Sequence, residues 1–130
     1  MLKKTISVLV LLFSFLGISQ AQENIELLKV QDFKEQIDNE DIQLIDVRTL
    51  EEFKKGHIKN ALLIDFYTSD FKEKLQQLDA KKAIYVYCAV GGRSRKTAKL
   101  LSSLGFPKIY DLKGGYRAWI KAGYNTKKYN

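Results

Sequence analysis

A parallel α/β domain is the fold class this sequence predicts, and three observations predict it. Short apolar runs rich in strand formers alternate with segments whose apolar residues recur at helical spacing. The run "KKAIYVYC" carries apolar side chains on both faces, as a central strand covered on two sides requires. The single proline, with no low-complexity stretch or internal repeat, leaves no linker to divide the 130 residues into two domains.

The first 21 residues stand apart from that domain. "MLKKTISVLVLLFSFLGISQA" combines two lysines, an apolar stretch from Ile6 to Ile18 and small residues at Ser19 and Ala21, the pattern of a signal peptide cut after Ala21. The apolar run is shorter than the roughly 20 residues that span a bilayer, and polar Gln20, Gln22 and Glu23 follow at once. The globular domain is therefore expected over residues 22–130, in an exported protein, periplasmic or secreted, with no membrane contact after cleavage. The chain has 22 Lys and Arg against 15 Asp and Glu, so loss of Lys3 and Lys4 leaves a formal charge of about +5. The basic residues are scattered and no nucleic-acid-binding signature is present, which argues against nucleic acid and leaves a general attraction for small anions.

Each element follows from local punctuation. Ile25 to Val30 reads as a first strand and "QDFKEQID" as a helix with Phe33 and Ile37 on one face. Ile42 to Val47 is a buried strand; Thr49 and Glu52 form a capping box for the helix "LEEFKK", which Gly56 closes. "ALLIDF" is the third strand, and "SDFKEKLQQL" a helix with Phe71, Leu75 and Leu78 aligned. After the central strand ending at Cys88, a helix runs from Arg93 to Leu104 with Ala98, Leu100, Leu101 and Leu104 turned inward. Gly105 ends it and Pro107 prevents its return. "KIYDL" is the fifth strand, Gly114 and Gly115 a turn, and "YRAWIKAG" a last helix capped by Gly123. Strand, helix, strand connections of this length imply right-handed crossovers.

Cys88 is the only cysteine, so it forms no internal disulfide, and with one histidine in the chain a Cys/His metal site is excluded. It falls where a central strand ends, the side on which parallel sheets bind ligands. Gly91 and Gly92 let the following loop curl its N–H groups toward one centre, and the helix start adds positive potential there. Those donors, with Arg93 and the Ser94 hydroxyl, would favour a thiolate over a thiol and make Cys88 a nucleophile rather than an inert buried thiol.

Three segments together resemble the rhodanese-like domains: "DVRTLEEFKKGHIKNALLI" (Asp46 to Ile64), "YCAVGGRS" (Tyr87 to Ser94) and "LKGGYRAW" (Leu112 to Trp119). The resemblance implies a three-layer α/β/α fold with a five-stranded parallel sheet in order 1-5-4-2-3. It also implies a sulfurtransferase, in which Cys88 takes a sulfane sulfur from thiosulfate, a polysulfide or a protein persulfide. Cys88 then holds that sulfur as a persulfide and passes it to a thiol or cyanide. The implied active-site loop is Cys88, Ala89, Val90, Gly91, Gly92 and Arg93, with Ser94 beside it. No metal or other cofactor is implied, and the protein is expected to be a monomer. Backbone N–H groups would stabilise the negative persulfide as an oxyanion hole does. Arg93 would bind an incoming anion, the favoured role, or brace the loop on a carboxylate. Ala89 and Val90 give an apolar rim that suits an organic or protein persulfide better than thiosulfate.

Asp46 and Arg48 are supporting residues expected to hold one another. His57 is expected to be structural, and Tyr110, Tyr116 and Trp119 to pack. A cysteine phosphatase of the same fold has five residues between Cys and Arg; this chain has four, Ala89 to Gly92, a loop sized for sulfur rather than phosphate. A non-catalytic exported binding or sensing module is the other alternative, and the presence of Cys88 weighs against it. The lack of a second cysteine disfavours a thioredoxin-like oxidoreductase.

Overall fold

The computed structural model describes residues 24–39 and 41–128; the expected signal peptide lies outside the described residues. Five parallel strands, β1 (Ile25–Leu28), β2 (Ile42–Asp46), β3 (Leu62–Leu63), β4 (Ala83–Tyr87) and β5 (Ile109–Leu112), form one sheet in the order β1-β5-β4-β2-β3. Five helices alternate with them: α1 (Val30–Ile37), α2 (Leu50–Lys55), α3 (Phe71–Gln76), α4 (Gly92–Ser103) and α5 (Gly115–Lys121). Fold class and strand order are those the sequence implied.

Strand alternation divides the core in two. Ile84, Val86 and Cys88 of the β4 segment point to one face, where they pack with Phe71 and Leu75 of α3 and Ala98 and Leu101 of α4. Tyr85 and Tyr87 point to the other, against Phe33 of α1 and Trp119 of α5. The four β4 residues from Ile84 to Tyr87 are each at most 5% exposed, so the strand is covered on both faces. At about 25 cal/mol per Å² of apolar surface, burying each such side chain stabilises the fold by roughly 1.5–3 kcal/mol.

Several boundaries differ from the sequence reading. β1 stops at Leu28, because Lys29 already caps α1 and its carbonyl accepts the Phe33 N–H at 2.9 Å. β3 is two residues long at a sheet edge with Leu62 53% exposed. Its pairing continues irregularly through Ile64 N–H to the Asp46 carbonyl (2.9 Å) and Phe66 N–H to the Val47 carbonyl (3.2 Å). α3 ends at Gln76, where Gln77 and Leu78 bond back three residues to Lys74 and Leu75, a tightened last turn. The capping box is formed as expected: Thr49 Oγ1 accepts the Glu52 N–H at 3.3 Å, and the Thr49 N–H donates to Glu52 Oε1 at 3.2 Å. Among the described residues no helix is long and apolar enough to cross a membrane.

Candidate active site

Cys88 sits one residue past β4, buried at 1% exposure, on the α4 side of the sheet. The loop after it reverses direction at Gly91, whose φ of +119° is open to glycine and strained for other residues. That conformation turns the Gly91 N–H back onto the sulfur, to which it donates at 3.1 Å. One turn into the helix, Ser94 Oγ accepts from the Cys88 S–H at 3.4 Å and donates its own proton to the Gly91 carbonyl at 3.3 Å. A backbone N–H, a buried hydroxyl and the start of a twelve-residue helix thus converge on one sulfur.

The loop is held from two sides. On one, the first turn of α5 donates to it: Tyr116 N–H to the Cys88 carbonyl at 2.8 Å and Arg117 N–H to the Ala89 carbonyl at 3.1 Å. This approach needs Gly115, where an added Cβ would stand 2.6 Å from the Cys88 carbonyl oxygen and 2.7 Å from the Ala89 carbonyl carbon. On the other side, Arg93 Nη1 and Nη2 donate to Glu52 Oε1 and Oε2 at 2.7 and 3.0 Å. The sequence favours contact between Arg93 and an incoming anion over bracing; in the structure its two terminal nitrogens pair with the Glu52 carboxylate. The hydrogen bond from Arg93 holds the Glu52 carboxyl well below its usual range, at about 2. Ala89 is half-buried and Val90 is 62% exposed, so the apolar rim is present.

Asp46 and Arg48 pair with one another on the face of the sheet opposite the Cys88 side chain. Arg48 Nη2 donates to Asp46 Oδ2 and to the Gly56 carbonyl, both at 2.7 Å, and its guanidinium lies over the Tyr116 ring at 4.0 Å. Asp46 is fully buried and Arg48 is 3% exposed, so this pair ties β2 to the α2 terminus and to α5 from behind the site. His57 is stacked on Phe53 at 3.7 Å between ring centroids, and its Nδ1 is 3.0 Å from the Phe53 carbonyl. Tyr110 stacks on Tyr85, and Trp119 donates through Nε1 to the Asn125 carbonyl, both packing roles.

Three residues at the site were not singled out from sequence. In sequence Glu52 reads only as a cap, and nothing in its spacing ties it to Arg93. Gly115 reads as part of a turn, although a double glycine before a helix also suits a close backbone approach. Asp111, at the end of β5, is 3% exposed and its Oδ1 has no hydrogen-bond partner among the described residues. Burial pushes its carboxyl up to about 6, against a lowering by a Ser94 hydrogen bond and the Arg95 charge. An acid inside the apolar strand "KIYDL" was the available signal.

The profile of the Rhodanese-like domain family matches residues 29–122. The chain is 40% identical over 77 residues to the Bacillus subtilis protein YqhL, covering 59% of this chain and 60% of that one. It is 33% identical to the Coxiella burnetii thiosulfate sulfurtransferase GlpE, over 74% of this chain and 87% of the relative. Among solved structures, a rhodanese-related protein from Thermoplasma volcanium superposes with a TM-score of 0.71 at 33% identity, covering 78% of this chain and 97% of that one.

Proposed function

The chain belongs to the rhodanese-like domain family, and from that membership and the thiolate cradle we propose that it is a sulfurtransferase working through a Cys88 persulfide. The observation that carries the proposal is the Gly91 N–H aimed at Sγ from 3.1 Å, with the Ser94 hydroxyl 3.4 Å away. The Gly91 N–H stabilises a sulfur anion without giving up a proton, which suits a nucleophile that must be released unchanged. In the first half-reaction the Cys88 thiolate attacks the outer sulfur of a donor. An S–S bond forms at Cys88, the donor's own bond to that sulfur breaks, and the leaving group departs with the electron pair. In the second, an acceptor thiolate or cyanide takes the outer sulfur and Cys88 returns as thiolate.

The donor in this reading is an organic polysulfide or a protein persulfide, because Ala89 and exposed Val90 bring no charge to the rim and Arg93 is held by Glu52. Ala89, Val90, Gly91, Gly92 and Ser94 form the binding loop, Arg93 braces it, and Asp46 and Arg48 support it from behind. In this reading the protein acts after export, in the periplasm or outside the cell, where an unpaired thiol is a liability unless it is buried or used. The test is intact mass after treatment with thiosulfate or a polysulfide. One added sulfur on Cys88, absent in Cys88→Ser, is the expected result. No added sulfur from any donor, on folded and reduced protein, would sink the proposal. Hydrolysis of an aryl phosphate, lost in the same variant, would move the assignment to a phosphatase.

A further inference from the structure

Among the described residues, Asp111 alone has a buried side-chain oxygen, Oδ1, without a hydrogen-bond partner. Strand alternation puts its side chain, with that of Ile109, on the α4 face of the sheet, the face that Cys88 occupies. Its register partners, Leu27 on β1 and Val86 on β4, bring no charge. Arg95 and Lys99 of α4 and Lys113 after β5 line the same groove as Asp111, and the Arg95 charge favours the ionised carboxyl. Arg93, on the Cys88 side, is paired with Glu52. Between the two acids stands Ser94, fully buried in the first turn of α4. Its hydroxyl accepts from the Cys88 S–H at 3.4 Å and donates to the Gly91 carbonyl at 3.3 Å. It also lies within hydrogen-bonding reach of the Asp111 carboxyl, whose ionised form it favours. A hydroxyl has one proton to give, and a carboxylate takes it more strongly than a carbonyl does.

Resting on the reading of Cys88 as the sulfur-accepting nucleophile, we infer that Asp111 is a positioning residue that acts on Cys88 through Ser94. The ionised carboxylate draws the Ser94 proton to itself and away from the sulfur. The protonated carboxyl instead donates to Ser94 Oγ, and the Ser94 proton is then free to turn to Sγ as charge develops there. Asp111 never touches the sulfur, and the switch makes or breaks no bond to it. The proton that Asp111 gains or loses passes through the groove that it lines, where it keeps 3% of its surface. Burial puts the carboxyl at about 6, so below that value the Ser94 proton serves the nucleophile and above it the carboxylate holds that proton.

The experiment loads Cys88 from benzenethiosulfonate, a donor of constant charge over the range used, and follows the added sulfur by intact mass. Rates are compared at about pH 5 and about pH 8, on either side of the Asp111 titration. Asp111→Asn offers Ser94 an N–H donor at both values and so fixes the arrangement of the protonated acid. The ratio of the unaltered rate to the variant rate cancels the titration of Cys88 and the chemistry of the donor. It should be near unity at the lower pH and about tenfold smaller at the higher, the worth of one hydrogen bond to a charged atom. A ratio independent of pH overturns the inference. In a Ser94→Ala background the ratio should lose its pH dependence; if the dependence persists, Asp111 acts on the sulfur directly and the route through Ser94 is overturned. Failure of the unaltered protein to load from any donor would instead remove the sulfurtransferase reading beneath it. A second measurement needs no sulfur transfer: the carbon-13 signal of the Asp111 carboxyl, followed against pH. Its midpoint should rise by about one unit in Ser94→Ala, because the hydroxyl favours the ionised form. An unmoved midpoint overturns the inference.

Discussion

Arg93 and Glu52 meet through two parallel hydrogen bonds, of 2.7 and 3.0 Å, that join the end of the sulfur loop to α2. The same carboxylate also accepts the Thr49 N–H, so one side chain caps α2 and anchors the loop. The pair is partly exposed, the side chains retaining 18% and 33% of their surface, and solvent weakens it.

A pH dependence of stability follows. The folded carboxyl of Glu52 lies at about 2, below the ordinary value of 4.5. Its contribution is therefore complete above about 4.5 and is lost as pH falls toward 2. After discounting for exposure, Glu52→Gln should cost about 1 kcal/mol near neutral pH, and little at the acid end of that window. Denaturant titrations of both proteins at the two ends of the window check this; an equal gap at both ends would contradict it.

Gly115→Ala should be more damaging than its size suggests. The added carbon would press on the carbonyl groups of Cys88 and Ala89, and at a φ of +60° an L residue is strained as well. A loss of about 1–3 kcal/mol is expected from the backbone alone. Because the two N–H groups that follow hold the loop, sulfur loading of Cys88 should slow even where the variant stays folded. Chemical denaturation and intact mass measure the two effects separately; a variant with native stability and native loading would show that the close approach is dispensable.

The features legible in the sequence are those set by local rules. The Thr49–Glu52 box, the two-faced apolar strand at Ala83–Tyr87 and the glycine reversal before α4 each depend on residues a few positions apart. The strand order came from the resemblance of three motifs, since no local rule states which strand lies beside which. The Arg93–Glu52 bridge spans 41 residues, and the choice between bracing and binding anions depends on which carboxylate the fold delivers. The unpartnered Asp111 oxygen is likewise a tertiary fact: the sequence shows an acid in a strand, while its burial decides its chemistry.

Asp111→Asn should stabilise the protein, but only above the acid range. The folded carboxyl lies at about 6 and the ordinary value is 3.8, so folding favours the protonated form. The stability held below about 3.8 is lost as pH rises through 6, and the ionised group burdens the fold by roughly 2–3 kcal/mol at about pH 8. The neutral amide should recover much of that loss at about pH 8 and change little at about pH 4. Thermal melts at the two values test it; a variant less stable at both would mean that the carboxylate has a partner the fold depends on.

Ser94→Ala should slow the formation of the Cys88 persulfide while leaving the fold intact. Ser94 is fully buried; its hydroxyl accepts from the Cys88 S–H at 3.4 Å and donates to the Gly91 carbonyl at 3.3 Å, so it serves the ionised sulfur by turning its proton from that carbonyl to Sγ, and removing it takes that donor from the developing charge. A hydrogen bond to a charged group is worth about 1.5–3 kcal/mol, which corresponds to a drop of roughly tenfold or more in the loading rate. The rate should fall with every donor alike, because the hydroxyl serves the nucleophile and not the leaving group. Intact mass at a series of times reads it out. A loss confined to one donor would place Ser94 in donor recognition, and no loss at all would leave the Gly91 N–H as the sufficient stabiliser of the sulfur.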